Sequence, residues 1–196
     1  MNAWHLRLAV RVLDNGGLVA HATEGVWGLA CDPWDPRAVA RLLALKGRDA
    51  ARGLIVIGAA ADDFAAELEA LDAVSRRQVE ASWPGPVTWI LPNLRFPEWI
   101  SGRRSTVAVR VPGHEQARAL CAAFGGALVS TSANPSGVPA PRDAWQLRRR
   151  LRDAWRRNPR AVPRPLLYVL PGATAGRRGP SEIRTVQGRA LRREDA

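Results

Sequence analysis

In the stretch LVSTSANPSG, residues 128–137, three apolar residues run directly into hydroxyls, an amide, a proline and a glycine. Ser130, Ser132 and Asn134 can all hydrogen-bond an oxyanion, and a loop leaving a buried strand can hold them close together. The same residue types also make an ordinary turn. Asn134 is no glycosylation acceptor, because Pro135 follows it. A second pointer is a solitary ammonium. Of 29 basic residues, 28 are arginine and Lys46 is the one lysine. A compact point charge and a planar fork do different work, so a lysine in an arginine-biased chain marks a place where guanidinium does not serve. Val39, Leu42, Leu43 and Lys46 follow helical spacing i, i+3, i+4, i+7, which continues the apolar face into the ammonium. A last-turn lysine complementing the helix dipole would look the same.

Other polar groups fall at predicted strand ends: Thr23-Glu24, Arg48 just after Lys46, Thr88, Arg110 among valines, and Ser181 to Arg184. Hydroxyls and cations converging there would suit phosphates, although each group alone also suits a turn or a surface. The common enzyme signatures are missing. There is no G-x-x-x-x-G-K-[ST], no G-x-G-x-x-G after a strand and no G-x-S-x-G. His5, His21 and His114 lack metal-ligand spacing, and Cys31 and Cys121 match no metal or redox pattern.

Elements must bring these groups together. Residues 3–14 read as a helix, with Leu6, Ala9, Val10 and Leu13 on one face, closed by Asn15-Gly16-Gly17. Residues 18–22 read as a strand, and 23–36, dense in Gly, Pro and Asp, as a loop whose Val26, Trp27 and Leu29 pack down. Helices follow at 37–46, 61–71, 73–81, 114–124 and 143–156, the fourth with Ala117, Leu120, Cys121 and Phe124 on one face, the last with Ala144, Leu147, Leu151, Ala154 and Trp155 inward. Strands read at 54–58, within 83–92 after a turn, at 105–112, 127–130 and 166–170. Residues 157–165 read as a linker and 171–180 as a mobile loop; SEIRTV and RALRR pair as a hairpin around Gln187-Gly188. Strands and helices alternate without a strict βαβ period, which predicts an α/β fold with a twisted, mixed sheet flanked by helices.

The 196 residues, 46% hydrophobic, suit one compact domain over 1–196. No apolar run reaches the ~20 residues of a membrane span, and the start lacks a signal-peptide pattern. These features predict a cytoplasmic protein with reduced thiols. The net charge is +11, and nine arginines against two aspartates lie between Arg142 and Arg164. Arg148, Arg152 and Arg156 make an i, i+4, i+8 stripe that suits RNA or an acidic partner, and equally a solvated face.

ATEGVWGLACDP, LLALKGRDAARGLIVI, WPGPVTWILP, AVRVPGH, VSTSANPSG and PSEIR follow one another in an order and spacing that resembles the YrdC-like threonylcarbamoyl-AMP synthase family, in its short, single-domain branch. The likeness runs from Gly17 to Arg184. Three positions depart from the family pattern: Ala22 stands where proline is usual, Trp27 where Tyr or Phe is common, and Asp49 where proline follows the Lys-x-Arg pair. The resemblance implies a YrdC-like fold and a reaction that joins L-threonine, bicarbonate and ATP into threonylcarbamoyl-AMP and pyrophosphate, for N6-threonylcarbamoyladenosine in tRNA. It implies that Lys46 and Arg48 grip phosphate and carboxylate oxygens, and that Ser130, Ser132, Asn134 and Ser181 hold the nucleotide. Thr23 would hold the amino acid, Trp27 would wall the pocket, and Arg110 and Arg184 would meet anions. Mg2+ would travel with ATP, bound through phosphates and water and by no dedicated protein ligands. Downstream partners would be the proteins that transfer threonylcarbamoyl to tRNA. The competing expectation is a non-catalytic module that binds double-stranded RNA or tRNA through the arginine stripe.

Overall fold

The computed structural model describes residues 2–160, 163, 166–177, 179, 181–187 and 190–191. Nine strands occur among them: Leu18–Ala22 (β1), Trp27–Cys31 (β2), Ile55–Ile57 (β3), Val87–Pro92 (β4), Thr106–Arg110 (β5), Leu128–Ser132 (β6), Leu167–Val169 (β7), Glu182–Thr185 (β8) and Ala190–Leu191 (β9). They form one mixed sheet in the order β7-β1-β2-β6-β3-β5-β4-β8-β9. The helices are Ala3–Asp14 (α1), Pro36–Lys46 (α2), Ala65–Glu69 (α3), Ala73–Ala81 (α4), Glu98–Ser101 (α5), Glu115–Phe124 (α6) and Ala144–Arg157 (α7). The predicted α/β architecture with a mixed sheet is what the chain adopts.

Pleat alternation sorts the strands into two cores. Leu18, Ala20, Leu29, Cys31, Val109 and Val129 face Val39 and Leu42 of α2 and Leu147 and Leu151 of α7. Val19, Ala30, Ile57 and Leu128 face Ala9 and Leu13 of α1 and Ala117, Leu120 and Cys121 of α6. Both cysteines are free and buried, and burial pushes their thiols up, away from thiolate chemistry.

Two corrections concern the chain around the pocket. Residues 27–31 are a strand and not loop. Every residue of β2 is buried, because it lies between β1 and β6 with both faces covered. A strand buried on both sides shows no alternation, so its Gly-rich composition misled the reading. The Pro and Asp residues serve the next step: Asp35 caps α2 by accepting from the Arg37 amide at 2.8 Å, and Pro36 opens the helix. Residues 61–71 also split, into a 3-10 turn at Ala61–Phe64 and the short α3. The terminal hairpin forms, with Ile183 opposite Leu191 and Arg184 opposite Ala190, although Gly188 lies outside the described residues. Part of the 157–165 linker also lies outside them.

Candidate active site

The face of the sheet that carries Leu128 and Ile57 is not covered by α6 along its whole length. Beyond the helix, alternation brings Gly28, Ser130, Ser132, Ile55, Ile57 and Arg110 to the surface as the floor of a pocket. Its walls include the turn from Thr23 to Val26, with Ser181 just before β8. Thr23 builds that turn, because its amide and hydroxyl both donate to the Val26 carbonyl, at 3.1 and 2.7 Å. Ser181 Oγ lies 3.1 Å from Thr88 Oγ1, so the Thr88 position noted in the sequence supports the rim.

Of the sequence candidates, Thr23, Arg110, Ser130, Ser132 and Ser181 thus share one pocket, while Trp27, Lys46, Arg48, Asn134 and Arg184 do not line it. Trp27 is 1% exposed and belongs to the core on the opposite face, so it does not wall the pocket. Arg184 points into a bidentate pair with Glu182, at 2.9 and 2.8 Å. Lys46, 4% exposed, approaches the end of β6 from the α2 side of the sheet. Its Nζ donates to the main-chain carbonyls of Ser132 and Asn134. The ammonium thus fixes the backbone of the STSAN loop. Asn134 donates its amide to the carbonyls of Pro135 and Val138 within the same loop, and its Oδ1 is buried without a partner among the described residues. The free end of that side chain is therefore an acceptor, where the sequence reading expected a donor. Arg48 donates to the Gly53 carbonyl at 3.0 Å. Burial lowers its pKa, as do the charges of Arg52 and Arg104 nearby, and its buried Nε has no partner among the described residues. Asp49, which replaces the usual proline, caps the 3-10 turn Ala50–Arg52 by accepting from the Ala51 amide at 2.9 Å.

Two further residues, Glu24 and Arg177, are central to the pocket. Glu24 forms a buried ion pair with Arg110 and accepts from the Gly113 amide at 2.6 Å. Burial alone would raise the carboxyl's pKa, but the Arg110 charge and the hydrogen bonds prevail and hold it below its ordinary value. Burial holds the Arg110 guanidinium below its ordinary pKa, with Glu24 opposing the fall and the Arg177 charge adding to it; Arg110 also donates Nε to the Gly85 carbonyl at 2.8 Å. Arg177 lines the pocket from the segment 171–177. That segment is tied down and not loose: Arg177 N donates to Glu24 O at 2.9 Å, and Gln116 Nε2 to Pro171 O at 2.6 Å. Gly25 is required beneath it, since a Cβ there would press on the carbonyls of Arg177 and Gly179. The signal for Glu24 was its place beside Thr23 at a strand end; Arg177 had none, because contact across the sheet is not written in spacing.

A sequence model of the Sua5/YciO/YrdC family, described as "Telomere recombination", matches residues 11–193. The threonylcarbamoyl-AMP synthase of Nitrosococcus oceani is 45% identical over 182 residues, which is 92% of each chain. That of Halorhodospira halophila is 54% identical over 147 residues, 74% of this chain and 77% of its own. Among solved structures, P. abyssi Sua5 complexed with L-threonine aligns at a TM-score of 0.82 and 29% identity over 94% of this chain and 52% of its own, so this chain spans about half of that protein. E. coli YciO aligns at 0.76 and 21% identity over 94% of this chain and 84% of its own, which shows the common fold. Sequence likeness across nearly the whole length and a shared fold lead to one conclusion: the chain belongs to the Sua5/YciO/YrdC family.

Proposed function

We propose that this chain is an enzyme that makes threonylcarbamoyl-AMP and pyrophosphate from L-threonine, bicarbonate and ATP, the adenylate used for N6-threonylcarbamoyladenosine at position 37 (t6A37) of ANN-decoding tRNAs. One observation carries the reading. Cations and hydroxyls converge on a single pocket in a chain 45% identical, over 92% of each length, to a threonylcarbamoyl-AMP synthase. In this reaction bicarbonate gives up CO2 with loss of water, the amine of threonine captures it as a carbamate and releases a proton, and the carbamate oxygen attacks the α-phosphate while pyrophosphate leaves. Nucleophile and target are both anionic, so the protein's work is neutralisation and alignment. Arg110, Arg177 and the hydroxyls of Ser130, Ser132 and Ser181 supply charge and hydrogen bonds inside the pocket. Lys46 holds the loop that carries Ser132, and Arg48 with Arg52 offers positive charge just after α2.

Mg2+ accompanies ATP in this reading and neutralises phosphate charge. Among the described residues no three His, Cys, Asp or Glu side chains converge, and Glu24 is the acidic side chain lining the pocket. That donor set suits a cation carried chiefly by phosphate oxygens and water. Among the described residues no helix is long and apolar enough to cross a membrane; a cytoplasmic site of action fits a tRNA-directed product. Contact with tRNA is also part of the proposal. Arg148, Arg152 and Arg156 are exposed on α7, and Trp145, 68% exposed, lies under Arg149 with 5.8 Å from guanidinium to ring centre. Such a surface would serve hand-off to the proteins that complete the tRNA modification. The test is pyrophosphate release from purified protein with ATP, L-threonine, bicarbonate and Mg2+. Release that does not depend on L-threonine would refute the reading, and RNA binding without any turnover would favour the non-catalytic module.

A further inference from the structure

Behind the pocket floor lies a histidine for which the condensation chemistry has no task. His21 is fully buried in β1, opposite Gly28 of β2 and on the same face as Ser130. Its Nδ1 lies 3.2 Å from the Ala22 carbonyl oxygen, and its Nε2 lies 3.1 Å from Ser130 Oγ. A carbonyl oxygen only accepts, so in the neutral ring the proton sits on Nδ1 and Nε2 is bare. The ring is neutral at working pH: burial takes its pKa down to about 4, with the Ala22 carbonyl and Glu24 pulling upward and the His114 and Arg110 charges adding to the fall. The Ser130 hydroxyl therefore donates inward to Nε2, and what it turns to the pocket is lone pairs. Gly28 leaves room for this bond, since a Cβ there would stand 3.0 Å from His21 Nε2 and 3.2 Å from Ser130 Oγ.

We propose that His21 is a positioning residue that holds the Ser130 hydroxyl as an acceptor toward the pocket, and so selects a hydrogen-bond donor there, the amine of the amino-acid substrate. This rests on the proposed reaction, and it moves Ser130 from the nucleotide, where the family resemblance put it, to the amine of L-threonine. Glu24 supports the choice of an amine. Its Oε2 is buried without a partner among the described residues, and the residue lines the same pocket, so an anionic acceptor accompanies the lone pairs of Ser130. His21 does not serve as the base that frees the amine. Passing a proton from an α-ammonium to this ring runs at least about four orders of magnitude uphill, since even a peptide N-terminus has a pKa near 8.

Three variants test the proposal. Gln places its amide oxygen as many bonds from Cα as histidine Nε2, and Asn places its amide at the position of Nδ1. His21→Gln therefore keeps an acceptor for Ser130, and His21→Asn does not. Calorimetry with L-threonine and steady-state kinetics are expected to show affinity and KM for threonine worsened about ten-fold or more in His21→Asn and Ser130→Ala. In His21→Asn, kcat at saturating threonine and KM for ATP should stay within about two-fold of wild type. His21→Gln should bind threonine nearly as wild type does, and His21→Asn/Ser130→Ala should be no weaker than Ser130→Ala alone. Unchanged threonine affinity in His21→Asn, a folded His21→Gln as weak as His21→Asn, or multiplying effects in the double variant would overturn the proposal. If the histidine variants lose the fold, Ser130→Ala alone decides: an unchanged threonine affinity overturns it and a ten-fold loss supports it. Wild-type protein that binds no L-threonine overturns the substrate reading and this inference with it. Wild-type binding with an indifferent His21→Asn overturns the role of His21 alone.

Discussion

Replacing Glu24 by glutamine should destabilise the protein in a pH-dependent way. Glu24 and Arg110 have side chains 13% and 10% exposed, and the pair lies between the β1–β2 turn and the end of β5. Removing one partner of a buried ion pair costs about 3–5 kcal/mol, because the other charge is left without compensation. Glutamine still offers an oxygen to Arg110 and to the Gly113 amide, and the pair is not wholly dry, so about 3 kcal/mol is the expected loss. For a chain of this length that is a fall in Tm of about 6–12 °C. The folded-state pKa of Glu24 is depressed, so its contribution is complete above the unfolded carboxylate pKa and is lost as pH falls through the folded value. Arginine stays charged throughout and adds no pH dependence. Thermal unfolding followed by circular dichroism should give a constant gap between wild type and Glu24→Gln from pH 8 to pH 5. The gap should narrow below the ordinary carboxylate range, where wild type is protonated too. A gap under about 2 °C at pH 7, or one that stays as wide in acid, would refute the assignment of the pair as charged and stabilising.

Three further outcomes follow from the geometry. Lys46→Met should lower both Tm and turnover, since each lost bond from the ammonium to the Ser132 and Asn134 carbonyls costs about 1.5–3 kcal/mol; Lys46→Arg should also lose most activity, and an arginine variant with near-normal pyrophosphate release would sink the role given to the point charge. Gly25→Ala should displace the segment above it, so that the Arg177 amide, bonded to Glu24 O, exchanges its hydrogen faster; unchanged protection would show that the close approach does not constrain the segment. Reversing Arg148, Arg152 and Arg156 to Glu should leave threonylcarbamoyl-AMP formation intact and flatten the salt dependence of RNA binding, each neutralised phosphate contributing a log–log slope of about −0.7 to −0.9; equal slopes in variant and wild type would make the stripe a plain solvated face.

Local rules made much of this legible in the sequence. The face of α7 with Leu147, Leu151 and Ala154 inward, the Asn15-Gly16 stop of α1 and the buried lysine at the end of α2 all follow from periodicity and capping over a few residues. What failed was decided by neighbours distant in sequence. WGLAC is a strand because β1 and β6 close over it, and Trp27 is core for the same reason. Lys46 comes from the α2 side of the sheet and Ser130 faces the other side, although both were read into one anion-binding site; packing of α2, and not spacing, separates them. The Glu24–Arg110 pair spans 86 residues, and the His21–Ser130 contact spans 109. No window of sequence contains either.

A chain with one lysine carries its own reporter. Endoproteinase Lys-C has a single place to cut, between Lys46 and Gly47, at the left-handed Gly47 that ends α2. In the folded protein the side chain it must recognise is 4% exposed and fastened to the STSAN loop. Cleavage under native conditions therefore waits on the release of that loop, and its rate measures the free energy of local opening when reclosing is fast. Fragments 1–46 and 47–196 would appear as two bands, with no labelling and no mutation. Saturating ATP would slow the cut if the nucleotide closes the loop, and the slowing would give the coupling between binding and order at this one bond.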